Sequence, residues 1–243
     1  MPLINQERFK KEPLDVNKLQ QSKVLVIGAG GLGGVLLEYL ARAGIGEIDI
    51  ADGDTVSIGN LYRQILFNDD DLGKNKAEVA KEKLSKSSTL TKFNTLGFLN
   101  SLDDFLALNK KYDLVINASD NFISKVTTND YAIKTKTMFI VGSIEGEDGE
   151  YYFYDYSNPK TITENGCLRC ILGEVPPKKE IPLVLGPSVG IIALFMAKKA
   201  LKLLGTNTED RNAFVTFIRN DTIRRFKLQS SKTCKHFELI KGN

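Results

Sequence analysis

Lys23-Val24-Leu25-Val26-Ile27 is an unbroken apolar run ahead of Gly28, the pattern of a strand buried on both faces of a parallel sheet. It leads into Gly28-Ala29-Gly30-Gly31-Leu32-Gly33, and apolar positions over 35–43, closed by Gly44, predict a helix. Glu47-Ile48-Asp49-Ile50-Ala51-Asp52 reads as the next strand, so ~30 residues make one βαβ unit with a right-handed crossover. The alternation continues, with helices predicted over 76–86, 102–109 and 122–134 and strands over 113–117 and 138–142. This pattern specifies an α/β fold: a Rossmann-like, mostly parallel sheet with helices on both faces. Beyond residue ~145 the style changes. Residues 150–156 read as a strand, and 214–219 with 222–228 as a hairpin turned at Asn220-Asp221, a C-terminal antiparallel extension. Between them, 187–204 is an amphipathic helix ending at Gly205, and 173–187, with four prolines, is a long surface loop.

Composition narrows the class only slightly. A chain of 243 residues holds one large α/β domain, and its 42% hydrophobic and 26% charged content is that of an ordinary globular protein. Lys plus Arg number 33 against 30 Asp plus Glu, too small an excess to argue for nucleic acid or membrane binding. The N-terminus lacks a basic-then-apolar signal, and the longest apolar run, over 189–197, is broken by Gly190 and far below the ~20 residues a membrane span needs; a cytoplasmic location is expected. In that compartment three cysteines, two of them in Cys167-Leu168-Arg169-Cys170, point to metal or redox chemistry rather than disulfides.

Gly28-x-Gly30-x-x-Gly33 between a strand and a helix lets phosphate approach backbone N–H groups at a positive helix end. Asp52, ending the second strand, is placed to bind ribose hydroxyls. Glycines serve tight packing equally well, and to this point NAD and ATP fit alike. The next segments separate them. Asp52-Gly53-Asp54-Thr55-Val56 runs on to Asn60-Leu61-Tyr62-Arg63-Gln64, followed by Gly73-Lys74-Asn75-Lys76 and later by Asp120-Asn121 at a strand end. Over roughly residues 20 to 240 the chain resembles the ThiF/MoeB/HesA family, adenylyltransferases related to the ubiquitin-activating enzymes.

The resemblance implies ATP and Mg²⁺ as cofactors. It sets Gly31 and Asp52 at the nucleotide, Asn60, Arg63 and Lys76 at the phosphates, and Asp120, followed by Asn121, at the metal. The chemistry is consistent. Arg63 and Lys76 would screen phosphate charge as a carboxylate attacks the α-phosphate, and a carboxylate at a strand's carboxyl end suits a hard cation. The family also places a second N-terminal arginine in the partner subunit's site. Here Lys11 stands in that place, keeping the charge without the bidentate fork. The pair Cys167 and Cys170 suits two corners of a zinc site, and relatives complete it with a second C-x-x-C. This chain has Cys234-Lys235-His236-Phe237, so Cys167, Cys170, Cys234 and His236 make a Cys₃His set or a metal-free remnant.

The expected organisation is an arm or short helix over 1–20, lying outside the core, and a single adenylating domain over 21–243. The nucleotide-binding half is 21–145; the crossover loop, partner surface and candidate zinc region fall in 146–243. The resemblance implies a homodimer that adenylates the C-terminal Gly of a ubiquitin-like sulfur carrier, for thiamine or molybdenum cofactor synthesis. The loop over 174–180 has no cysteine, so no enzyme thioester is expected. Lys178, Lys179 and the aromatic run 151–156 are candidate partner contacts, although such a run is more often sheet packing. The alternatives are a tRNA threonylcarbamoyladenosine dehydratase type, an inactive scaffold subunit, and an NAD oxidoreductase.

Overall fold

The computed structural model describes residues 14–173, 183–229 and 234. The elements run α1 (Val16–Gln21), β1 (Lys23–Ile27), α2 (Gly31–Arg42), β2 (Glu47–Ala51), α3 (Lys76–Ser87), β3 (Lys92–Leu96), α4 (Leu102–Ala107) and β4 (Leu114–Asn117). They continue with α5 (Phe122–Lys134), β5 (Met138–Glu145), β6 (Asp148–Asp155), α6 (Lys160–Asn165), α7 (Leu168–Leu172), α8 (Gly186–Gly205), β7 (Phe214–Arg219) and β8 (Thr222–Lys227). One eight-stranded sheet carries the order β3-β2-β1-β4-β5-β6-β7-β8. The first five are parallel, and β6, β7 and β8 add on antiparallel. The predicted fold class is therefore the observed one, and β6–β8 extend the same sheet.

Alternate residues of each central strand feed two cores. Val24, Val26, Leu114, Ile116 and Ile140 face the side of α2, α3 and α8, while Leu25, Ile27, Val115, Phe139 and Val141 face that of α4 and α5. Burial on both faces is the physical reason these strands read as unbroken apolar runs. The hairpin turns where expected, with φ of 46° and 58° at Asn220 and Asp221, the left-handed pair a two-residue turn requires. No helix of the described residues is long and apolar enough to cross a membrane.

One expectation fails and one open alternative is decided. The short helix expected near the N-terminus is present as Val16–Gln21, but it is not peripheral: Leu19 is fully buried, and Asp15 N–H donates to the Gly205 carbonyl at 2.7 Å. The aromatic run is sheet packing, the commoner reading of such a run, and not a partner face, because Tyr151, Tyr152, Phe153, Tyr154 and Tyr156 all lie in the core. Three elements also escaped the sequence reading. β3 is an edge strand with only Phe93 buried, and α6 and α7 are one to two turns long, too short to show a period. Lys11, Lys178, Lys179 and His236 fall outside the described residues.

Candidate active site

The chain's connections reverse between β1 and β4, and at such a switch point ligands bind in the crevice beyond the strands' carboxyl ends. The Gly-rich turn leaves β1 there and residues 118–121 leave β4. At Gly28 the backbone sits at φ +93°, and a Cβ would lie 3.0 Å from the Ala118 carbonyl and the Ser119 nitrogen. At Gly33 a Cβ would lie 1.9 Å from the Gly28 carbonyl oxygen. These two glycines are thus explained by packing. Gly30, the N-cap of α2, and Gly31, its first residue, are instead half-exposed at the helix's positive end. A Cβ on Gly31 would stand 2.8 Å from Val189 Cγ1 and 3.4 Å from the Arg63 carbonyl, so Gly31 also answers to packing, and α8 and the 58–64 segment border the same turn.

Asp52 ties this turn to the second motif. Its carboxylate accepts the Ala29 N–H at 2.8 Å and the Asp54 N–H at 2.9 Å. Burial lifts the Asp52 carboxyl above its ordinary range, opposed by those two amides and by the charge of Lys76. Each oxygen keeps lone-pair capacity for a further hydroxyl. Lys76 opens α3 with its side chain buried and donates to Asp54 Oδ2 at 3.1 Å, an aspartate more than half exposed. Arg63 is half-buried, lies 4.9 Å over the Tyr62 ring and donates to the Gly59 carbonyl at 3.2 Å. The Asn60 carbonyl accepts the N–H groups of Arg63 and Gln64, which shapes this short 3₁₀ segment.

On the far side of the switch, Asp120 is exposed on the turn leaving β4. Asn121 caps α5 by accepting the Ser124 N–H at 2.9 Å. Two residues that sequence reasoning passed over build these motifs. Asn75 caps α3 and donates to the carbonyls of both Asp52 and Asp54. Asn117, fully buried, accepts from the backbone and hydroxyl of Ser119 and donates to Ser124 and Thr128, fixing the turn that presents Asp120. The signal for Asn75 was its place before a helical run, that of an N-cap.

The cysteines form a second centre. The Sγ atoms stand 3.8 Å apart for Cys167–Cys170, 3.4 Å for Cys170–Cys234 and 3.5 Å for Cys234–Cys167. Thiolates on a tetrahedral zinc, with Zn–S of about 2.3 Å, stand about 3.8 Å from one another, so the donor set fits that ion. Burial pushes the Cys167 thiol up, and neighbouring Cys234 pushes it further. The turn is braced by an Arg169–Asp130 ion pair at 2.5 Å and by Asn129 Oδ1, which accepts the Leu168 N–H and the Tyr156 hydroxyl.

Comparison with known proteins bears on this arrangement. The sequence model of the ThiF family matches residues 4–236. "Sulfur carrier protein adenylyltransferase" of Thermus thermophilus is 33% identical, the match covering 79% of this chain and 72% of the relative. "Adenylyltransferase and sulfurtransferase MOCS3" of Dictyostelium discoideum is 36% identical over 79% of this chain and 45% of its own, so the chain spans under half of that relative. The crystal structure of E. coli MccB with MccA-N7isoASN superposes with a TM-score of 0.78 at 25% identity, covering 91% of this chain and 68% of that one.

Proposed function

The chain belongs to the ThiF family, and on that premise we propose that it adenylates the C-terminal glycine carboxylate of a small ubiquitin-like sulfur-carrier protein. The observation that supports this reading is that the segments leaving β1, β2 and β4 at one switch point carry a half-exposed helix N-terminus, the Asp52 carboxylate, Arg63, Lys76 and the exposed Asp120. In the reaction a carboxylate oxygen of the carrier attacks the α-phosphorus of ATP. The bond to the bridging oxygen breaks, and pyrophosphate leaves with that electron pair. Both partners are anions, so the barrier falls where fixed positive charge surrounds the phosphates. Gly30 and Gly31 direct helix amides at the phosphates, Asp52 binds the ribose, and Arg63 and Lys76 neutralise phosphate oxygens. Lys76 is held by Asp54 until a phosphate competes for it. A Mg²⁺ held by Asp120 would supply further charge neutralisation.

The chain has three cysteines, all gathered at 167, 170 and 234, which supports adenylation without an enzyme thioester. They would hold a structural zinc. A homodimer completes the reading, with Lys11 reaching the partner subunit's site. As for organisation, residues 21–243 work as one adenylating domain.

ATP–pyrophosphate exchange with candidate carriers ending in Gly-Gly tests the reading. Exchange is expected to depend on the carrier, and Lys76→Ala and Asp120→Ala should each lose it by at least ~100-fold while remaining folded. Near-normal exchange in both variants overturns the site. Exchange that requires tRNA instead of a carrier overturns the substrate.

A further inference from the structure

Lys125 is not among the groups assigned to the nucleotide, its phosphates or the metal, yet the fold holds it in a place that disfavours it. The residue is 9% exposed, in the first turn of α5. A cation there faces the positive end of the helix dipole, and that turn contains no acidic residue to offset it. The ammonium donates to Ser143 Oγ at 2.6 Å, and among the described residues no carboxylate lies within 4.0 Å of it. Asp120, on the turn after β4, and Glu150, on β6, act on it only from farther off. Burial outweighs them and lowers the ammonium to about 8. An ion that is dehydrated and unpaired destabilises the fold around it, and an arriving anion would relieve that.

The position says which anion. β4 and β5 are paired with Asn117 opposite Val141, so Ser143 lies two residues past the carboxyl end of β4. Lys125 therefore stands at the same rim as Asp120, but on its β5 side. The Gly-rich turn, Asp52 and Lys76 lie on the β1–β2 side, where the nucleotide and its phosphates already have their counter-charges. An anionic oxygen entering between β4 and β5 comes from the other reactant.

We propose that Lys125 is the anchor for the terminal carboxylate of the acyl substrate, holding one oxygen by a charge-assisted hydrogen bond while the other faces the α-phosphate. This rests on the adenylation reading above. A polyphosphate oxygen shares the same anionic chemistry, and the experiment separates the two sources.

The measurement is thermal melting of the full chain with AMPCPP and Mg²⁺, then with N-acetyl-glycylglycine added at millimolar concentration. The C-terminal amide of that peptide is the control. In wild type the carboxylate peptide should raise the melting temperature beyond AMPCPP alone, and the amide should not. Lys125→Met should keep the AMPCPP shift and bind the peptide at least ~10-fold more weakly. Lys125→Arg, which retains the charge, should preserve the peptide increment. Without ligand, Lys125→Met should melt at or above wild type, since an apolar side chain replaces an unpaired buried ion.

The proposal is overturned if Lys125→Met retains the peptide increment or if wild type has none. It is overturned likewise if the variant loses the AMPCPP shift, which would assign Lys125 to the phosphates. A fall of several degrees in the ligand-free variant would make the Ser143 contact structural and overturn it too. Absence of an AMPCPP shift in wild type is a different failure, that of the adenylation reading itself.

Discussion

Asn75 does two jobs with one side chain. Its oxygen caps α3 through the Glu78 N–H, and its amide nitrogen donates to the carbonyls of Asp52 and Asp54, holding both ends of the acidic motif against the lysine that follows. Asn75→Ala should remove the cap, at roughly 1 kcal/mol, and lower the melting temperature by a few degrees. It should also depress ATP–pyrophosphate exchange, because the Asp54–Lys76 pair loses its frame. Asn75→Asp restores the cap acceptor but has no N–H to donate, so it should recover most of the stability and little of the exchange. Unchanged exchange in both variants would reduce Asn75 to a helix cap. Asp52, Arg63, Lys76 and Asp120 could be proposed from the sequence because their spacing recurs in a known pattern. Asn75 carried only a helix-start signal, which says nothing of its bonds to Asp52 and Asp54, and Lys125 carried none, because its burial depends on distant packing.

The parallel edge of the sheet is braced by charge as well as by apolar packing. Glu47 on β2 pairs with Lys92 of β3 at 3.0 Å and with Lys110 at 3.1 Å, and it accepts from Asn94 at 2.9 Å. Lys110 also reaches Asp49 at 2.7 Å. Burial raises the Glu47 carboxyl, but the hydrogen bonds from Lys92, Asn94 and Lys110 outweigh it and bring it down to about 2 from an ordinary 4.5. A carboxyl depressed on folding contributes stability that is complete above about 4.5 and lost as pH falls towards about 2. Glu47→Gln should therefore melt a few degrees below wild type at pH 7, and the gap should close across that acid window. A gap independent of pH would show that Glu47 contributes through shape rather than charge. At this scale element type was mostly legible, since a period of 2 or 3.6 over five or more residues is a local signal. β3 was the exception, because an edge strand that buries one residue has no such period.

For the molecule as a whole, the telling contact is between residues 64 and 67 positions apart, where Cys234 meets Cys170 and Cys167. Zinc there would tie Cys234 to α7 and the core beneath it. The purified protein should carry about one zinc per chain, and strong chelation or Cys170→Ser should lower its melting temperature. His236→Ala tests the fourth ligand by the same readout. Metal-free protein that melts no lower after chelation would make the cluster a remnant. By itself the sequence determined the α/β class, the order of nearly all elements, the hairpin turn and the motifs flanking the switch point. Each of these depends on neighbours within about twenty residues, through side-chain periodicity, backbone freedom at glycine and the reach of a turn. Tertiary structure alone decided that the aromatic run 151–156 is core and that Leu19 belongs to it. It also decided that three thiols converge and that Lys125 is buried with no carboxylate within 4.0 Å among the described residues. Those outcomes depend on which distant surfaces pack together, and burial and electrostatic pairing arise only when they do.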